Sequence, residues 1–372
     1  MKRWIIFSTL VIIFINQEGK AMEPIYPFLE KDGSPGKVHN LTPEDMKLHP
    51  NESFWYTESY FFIAYLETGQ VAYLNLIISN MGLKKNQPAL TLTIITPERE
   101  RLTTEKDFPP DLVIVSEDRF AIRVGDNFLA GDDKNLTLEI KQAGLGMELE
   151  FSSPVPGFKL GNACAYFGKD KNIFYCINYP APRARVSGYI FYKDKKVPAS
   201  GWGYVDHCWF NANTVDFEEQ WHNLKFFSPE KNLIITSFEA TEKYGNKLVG
   251  IASLIDDRGV NLATTELKIT EFNREFEPVG KKSYPTRILF EFKSPEGSGK
   301  IDFNSSQVIE KMDVLEKLNK GAGEKALKWM IQKFVAKPFY YRSVGPAELE
   351  LNIKSTHSKI SGNASCEVIF IK

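Results

Sequence analysis

From residue 54 the apolar positions recur with the period of two that a half-buried β-strand imposes. Residues 54–66 are aromatic and β-branched, Glu67-Thr68-Gly69-Gln70 has turn chemistry, and residues 71–79 resume the alternation. That pattern predicts a hairpin. Residues 89–96, 112–115 and 120–124 read as further strands, and residues 136–141 and 147–152 as a second hairpin. Pro154-Val155-Pro156-Gly157 closes the series. Residues 178–185 (NYPAPRAR) carry two prolines and two arginines, which is linker composition. Strand patterns return at 187–192, 222–228, 233–242, 248–255, 261–270, 287–293, 347–353 and 367–371.

A helical period shows in one region, 306–334. Val308, Met312, Leu315 and Leu318, then Leu327, Met330, Ile331 and Phe334, fall at helical spacing, and Gly321 and Gly323 divide the run into two. Lys325, Lys328 and Lys333 beside Trp329 would suit a membrane surface or a cap on a barrel mouth. Many short strands with one helical insertion predict an all-β chain of antiparallel barrels or sandwiches rather than an α/β fold.

A length of 372 residues suggests two domains, divided at the proline-rich segment into 51–183 and 184–372. Residues 22–50 have no period and read as an irregular lead-in. Residues 1–21 have the form of a signal peptide: Lys2 and Arg3, an apolar run over 4–15, and small residues at Gly19-Lys20-Ala21. The expectation is an exported protein, periplasmic, extracellular or in the secretory-pathway lumen, with peripheral membrane contact as a further option. Export permits disulfides, and of the three pairings open to Cys164, Cys176, Cys208 and Cys366, the first two flank a predicted hairpin. A net charge of −1 gives no drive toward nucleic acid, and the 13% aromatic content fits β-core or an apolar cavity.

Residues 201–211 (GWGYVDHCWFN) concentrate the reactive side chains. In a strand, Trp202, Tyr204, Asp206 and Cys208 share one face, and Val205, His207 and Trp209 the other. A carboxyl among Trp and Tyr loses solvation, which favours its neutral form, so Asp206 is the candidate general acid and Tyr204 its partner. A capped turn among glycines is the plainer role for Asp206. His207 lies on the opposite face, and His39, His49 and His357 stand in polar contexts that suggest surface positions. No metal-ligand spacing, nucleotide-binding loop or nucleophile elbow is present, so neither metal nor cofactor is expected.

Several segments together resemble the lipocalin-like superfamily of carotenoid 1,2-hydratases (hydroxyneurosporene synthases), AttH-like proteins and fungal survival-factor proteins. They are Phe54-Trp55-Tyr56-Thr57-Glu58 with residues 71–80, then residues 153–161 (SPVPGFKLG), Val186-Ser187-Gly188-Tyr189, and Gly201-Trp202-Gly203-Tyr204-Val205-Asp206-His207. The resemblance implies two consecutive lipocalin-like (calycin) barrels with an apolar ligand region near their junction. It also implies that Tyr204 and Asp206 occupy the catalytic positions of the hydratases, in the second barrel. Val205, Cys208 and Phe210 depart from the hydratase motif. Three readings follow. The first is a binder of a lipid or isoprenoid, contacted by Trp202, Trp209, Trp55 and Tyr56. The second is a hydratase, isomerase or cyclase that uses Asp206 as general acid on an apolar unsaturated substrate. The third is a structural or interaction protein with a filled barrel.

Overall fold

The computed structural model describes residues 22–80, 85–278, 281–313, 315, 325, 328–330, 332–333, 336–354 and 356–371. The chain forms two large antiparallel sheets in succession, as the alternating pattern requires. In the first, the strands run Arg101–Asp107, Gln87–Ile95, Val71–Ser79, Thr57–Leu66, Lys195–Phe210, Ile173–Tyr192, Leu145–Ser152, Asn135–Gln142, Asn127–Gly131, Phe120–Val124 and Val113–Val115. The predicted first hairpin is present, with Tyr65 opposite Val71 and Gly69 at φ 90° in its turn. The second sheet runs Gly259–Thr264, Leu248–Asp256, Asn232–Ala240, Glu218–Phe227, Thr356–Phe370, Phe339–Ile353, Gly297–Asn304, Lys282–Ser294 and Glu266–Glu277. Its two end strands curl toward each other, with Glu266–Glu277 touching Leu248–Asp256.

Alternation sorts the side chains into three layers. One core fills the first sheet, with Phe62, Ala64, Leu74, Leu92, Ile122, Leu138 and Val205 among its members. A second core, including Leu224, Leu254, Phe290, Leu349 and Cys366, fills the second sheet. The third lies between the sheets and is rich in aromatics: Tyr73, Tyr175, Tyr179 and Tyr204 from the first, Phe238 and Tyr244 from the second. Each strand of the junction therefore buries both faces, one inward and one toward the other sheet.

Two expectations are corrected. The proline-rich segment is not a linker, because residues 178–185 lie inside the continuous 20-residue strand Ile173–Tyr192. Proline cannot donate to a ladder, and the pairing with Lys195–Phe210 shifts register between Asn178 and Ala181 and again between Ala181 and Ala184. Those two irregularities accommodate Pro180 and Pro182. The change of sheet falls instead at residues 211–217, so the strand bearing Asp206 belongs to the first sheet and not to a second domain starting at 184. The helical period over 306–334 also starts too early. Gln307–Asp313 is a strand paired with Phe339–Ile353, which places Val308 and Met312 on a ladder. Long-range pairing overrides local spacing there. Lys325, residues 328–330 and residues 332–333 are helical, and the Gly321/Gly323 break and the signal peptide lie outside the described residues.

Arg183, half of the supposed linker charge, is fully buried and clamps the sheets together. Its Nε donates to Asp257 Oδ1 at 2.6 Å and Nη1 to Asn232 Oδ1 at 2.5 Å. Nη1 and Nη2 also reach the backbone carbonyls of Ser228 (3.1 Å) and Pro229 (2.7 Å). Its guanidinium lies 4.4 Å from the ring of Trp202. The close approach that Gly201 and Gly203 permit is also visible: a Cβ on Gly203 would sit 2.5 Å from Phe151 and Val186.

Candidate functional site

Lys195–Phe210 pairs with Thr57–Leu66 on one side and Ile173–Tyr192 on the other, which fixes the direction of each side chain in residues 201–211. The parity read from the sequence holds. Tyr204 and Cys208 face the layer between the sheets, while Val205 joins the core of the first sheet. The strand thus presents two different environments, one on each face.

On the inter-sheet face, Asp206 is 9% exposed and Tyr204 is fully buried. Burial pushes the Asp206 carboxyl up to about 6, partly opposed by the Lys225 cation and the Tyr204 hydroxyl. Tyr204 sits beside that carboxyl but makes no well-formed hydrogen bond. Lys225, 2% exposed, lies 5.4 Å from the Tyr204 ring and 3.6 Å from Glu367 Oε1. Arg342 Nη2 meets the same Glu367 oxygen at 3.0 Å, and Arg342 Nη1 lies 3.4 Å from Glu310 Oε2. Tyr73 donates to Glu310 at 2.5 Å, and Arg101 from the first sheet also pairs with it. Burial alone would raise the Glu367 carboxyl; the Lys225 and Arg342 cations reverse that and hold it below the usual range. The network therefore alternates in sign across the sheet junction, and each buried charge has an opposite neighbour, as burial demands.

Next to this network a cleft of about 600 Å³ opens between the sheets. Tyr65, Val71, Ile95, Pro97 and Trp202 form its first-sheet wall, and Phe227, Pro229, Ile309, Val344, Pro346 and Ala364 the other. The Tyr65 hydroxyl is hydrogen-bonded to Ser365 Oγ, a pair that joins Arg99, Ser228, Ser306 and Asn363 as polar groups on the mostly apolar lining. Trp202 lines the cleft, but Tyr204 and Asp206 do not. A cavity of similar volume at the rim of the second sheet is lined by Lys268, Glu291, Lys293, Lys300 and Glu350. Its ion pairs, Lys268–Glu291 and Lys300–Glu350 at 3.0 Å each, make it a poor home for hydrocarbon.

The opposite face of the strand holds a separate cluster. His207 Nε2 lies 2.7 Å from Glu58 Oε1, and His49 Nδ1 lies 3.1 Å from the same oxygen. Tyr56 donates to Glu58 Oε2 at 2.8 Å. His207 stacks on Tyr60 and His49 on Trp209, each with centroids 4.0 Å apart. Burial would raise Glu58, but the two imidazoles hold it at about 2, and burial lowers His207. His49, Glu58 and His207 are the residues whose geometry could hold a metal among the described residues. The sequence placed His49 at the surface; its side chain is 31% exposed and stacks on buried Trp209. Glu58 and His49, nine residues apart, were not legible as partners of His207, because His207 lies 149 residues beyond Glu58 and only the fold brings them together.

The four aromatic residues expected to contact a ligand therefore separate. Trp202 lines the cleft. Tyr56 and Trp209 pack in the imidazole cluster with the Cys164–Cys176 disulfide, the pair suggested by the hairpin. Trp55 is 38% exposed and stands edge-on to Phe54. Cys208 is a free thiol next to Ser59 Oγ at 3.1 Å, and burial pushes it up to about 12, which excludes a ready nucleophile.

Comparison with known proteins places the chain in a family. The ceramide-binding protein SVF1 of Candida albicans is 22% identical over 349 residues, covering 86% of each chain. Among solved structures, an AttH from Nitrosomonas europaea superposes with a TM-score of 0.62 at 12% identity, covering 90% of this chain and 98% of its own. CghA crystallised with Sch210972 superposes with a TM-score of 0.65 at 11% identity, covering 94% of this chain and 98% of its own. The lipocalin-like all-β fold expected from the sequence is shared with these structures. The model of the Svf1 family matches residues 15–372, nearly the whole chain, and the chain belongs to that family.

Proposed function

We propose that this chain binds a ceramide-like lipid in the cleft between its two sheets. The observation that carries the reading is the cleft itself, mostly apolar with Arg99, Ser228, Ser306 and Asn363 among its lining, with Trp202 at its side and Asp206 outside it. Its volume of about 600 Å³ falls within the range of sites that enclose small ligands. The two sheet interiors are packed with their own side chains, which favours the junction over either barrel as the lipid site. The Tyr65–Ser365 pair offers a donor and an acceptor to a hydroxyl or amide head group. The name of the Candida albicans relative supports the choice of lipid class.

Trp202→Ala is expected to weaken binding of a fluorescent ceramide about tenfold to thirtyfold, for roughly 2 kcal/mol of lost apolar contact. Val344→Trp, which fills the cleft, should weaken it at least as much. Trp55→Ala should bind like the parent. Equal binding by all four proteins would refute the site.

A second reading has its own support. The Asp206 carboxyl holds its proton up to about pH 6 with the Tyr204 hydroxyl beside it, which suits proton donation to a C=C bond. The chain is further read as exported, which the Cys164–Cys176 bond supports. Trp329 and Met330, 56% and 42% exposed in the helical segment, support peripheral membrane contact.

A further inference from the structure

Glu58 is 2% exposed, and its ion-pair partners among the described residues are the imidazoles of His49 and His207. A carboxylate removed from water needs a countercharge, and no lysine or arginine supplies one here. The donors around it are also crowded. Glu58 Oε1 faces three nitrogens: the His49 backbone N–H at 3.0 Å, His49 Nδ1 at 3.1 Å and His207 Nε2 at 2.7 Å. A carboxylate oxygen has about two lone-pair directions.

The tautomer of His207 points the same way. If its Nε2 carries the proton that bonds Glu58, its Nδ1 is a bare acceptor. That Nδ1 is buried with no donor to it, and the Asp45 backbone carbonyl close to the ring is itself an acceptor. An ion on Nε2 reverses the ring: the proton moves to Nδ1, where it can be donated to the Asp45 carbonyl. Metal-binding histidines commonly anchor their second nitrogen in this way. Asn178, opposite His207 on the neighbouring strand, already donates to that carbonyl at 2.6 Å and so holds it in place.

We propose that His49 Nδ1, Glu58 Oε1 and His207 Nε2 bind a divalent first-row transition ion, Zn²⁺ being the four-coordinate case. The three ligand atoms lie within 4.8 Å of one another. Bonds of about 2.0–2.2 Å set tetrahedral edges of roughly 3.3–3.6 Å, so the observed 2.7 and 3.1 Å contacts need to open by less than about 1 Å. Two imidazoles and a carboxylate match the borderline ions rather than Ca²⁺ or Mg²⁺, which prefer oxygen. His49, the partly exposed ligand, leaves the solvent side for a water as fourth ligand. The ligands come from the lead-in, from Thr57–Leu66 and from Lys195–Phe210. The ion thereby staples the lead-in to the first sheet.

The test uses the full chain, stripped with a chelator and titrated with Zn²⁺ by calorimetry and with Co²⁺ by visible absorption. The expected result is one Zn²⁺ per chain, a rise in Tm with metal, and the intense d–d bands of four-coordinate Co²⁺. His49→Ala, with far-UV circular dichroism like the parent, should bind about a hundredfold more weakly or worse. His39→Ala, at an exposed histidine paired with Glu30, should bind as the parent does. Absence of stoichiometric binding by the folded parent, or equal binding by His49→Ala, would overturn the site.

Discussion

Arg183→Ala is expected to lower the free energy of unfolding by about 3–5 kcal/mol, because the hydrogen bonds of a buried guanidinium are lost and buried acceptors are left unsatisfied. The guanidinium is 0% exposed, and its four hydrogen bonds all reach residues of the second half of the chain. Truncation strands Asn232 Oδ1 and the carbonyls of Ser228 and Pro229 without a donor. It also opens a void beside Trp202. The control is Arg185→Ala, because Arg185 is exposed and its guanidinium lies over the Trp202 ring, 3.4 Å away. An exposed cation–π contact is worth about 0.5–1 kcal/mol. Urea unfolding of the three proteins measures the difference, and equal losses for the two variants would contradict the clamp.

The second large effect has a sign set by burial. Asp206 takes up its proton near pH 6 in the folded chain, against an ordinary value of 3.8. A raised carboxyl pKa means that the folded state binds the proton more tightly than the unfolded state. Its contribution is therefore most favourable below about pH 4 and is lost as pH rises through about 6. At roughly 1.36 kcal/mol per unit, the full cost at neutral pH is on the order of 3 kcal/mol. Asp206→Asn removes the titration. The variant should match the parent near pH 4 and exceed its stability by up to about 3 kcal/mol at pH 7.5, measured by urea unfolding across that range. Because Asp206 does not line the cleft, the variant should also retain ceramide. A pH-independent difference would mean that Asp206 stays charged and satisfied. Conversion of an unsaturated lipid by the parent and not by the variant would favour the enzymatic reading.

What was legible in the sequence was local. The period of two locates the first hairpin, and strand parity separates Tyr204 and Cys208 from Val205. Proline content misled at 178–185, since two register shifts absorb both prolines within one long strand and Arg183 serves the junction instead of a linker. Helical spacing misled at Val308 and Met312, where the partner strand Phe339–Ile353 decides the conformation. The site suffered from the same limit. Trp202 could be named because the motif contains it. Its cleft partners Tyr65, Phe227, Val344 and Ser365 come from four other strands or loops. Glu58 and His49 reach His207 only through the register of Lys195–Phe210 with Thr57–Leu66 and the path of the lead-in. Nothing in a linear pattern encodes those meetings.

The fold also explains why one strand serves two purposes. Lys195–Phe210 is central in its sheet, so both faces are covered, and alternate residues meet different layers. Trp202 at its middle borders the cleft, Asp206 further along enters the charged network, and His207 and Trp209 tie down the lead-in on the reverse face. Changes at one face should leave the other intact, provided the backbone stays in register.

The most direct test of lipid binding at the sheet junction is photo-cross-linking with a ceramide whose acyl chain carries a diazirine, followed by peptide mapping. The predicted adducts fall on residues 65–71, 95–99, 202, 227–229 and 344–346, from both walls of the cleft. Adducts confined to the interior of either sheet, or to the exposed Phe54–Trp55 edge, would contradict the account.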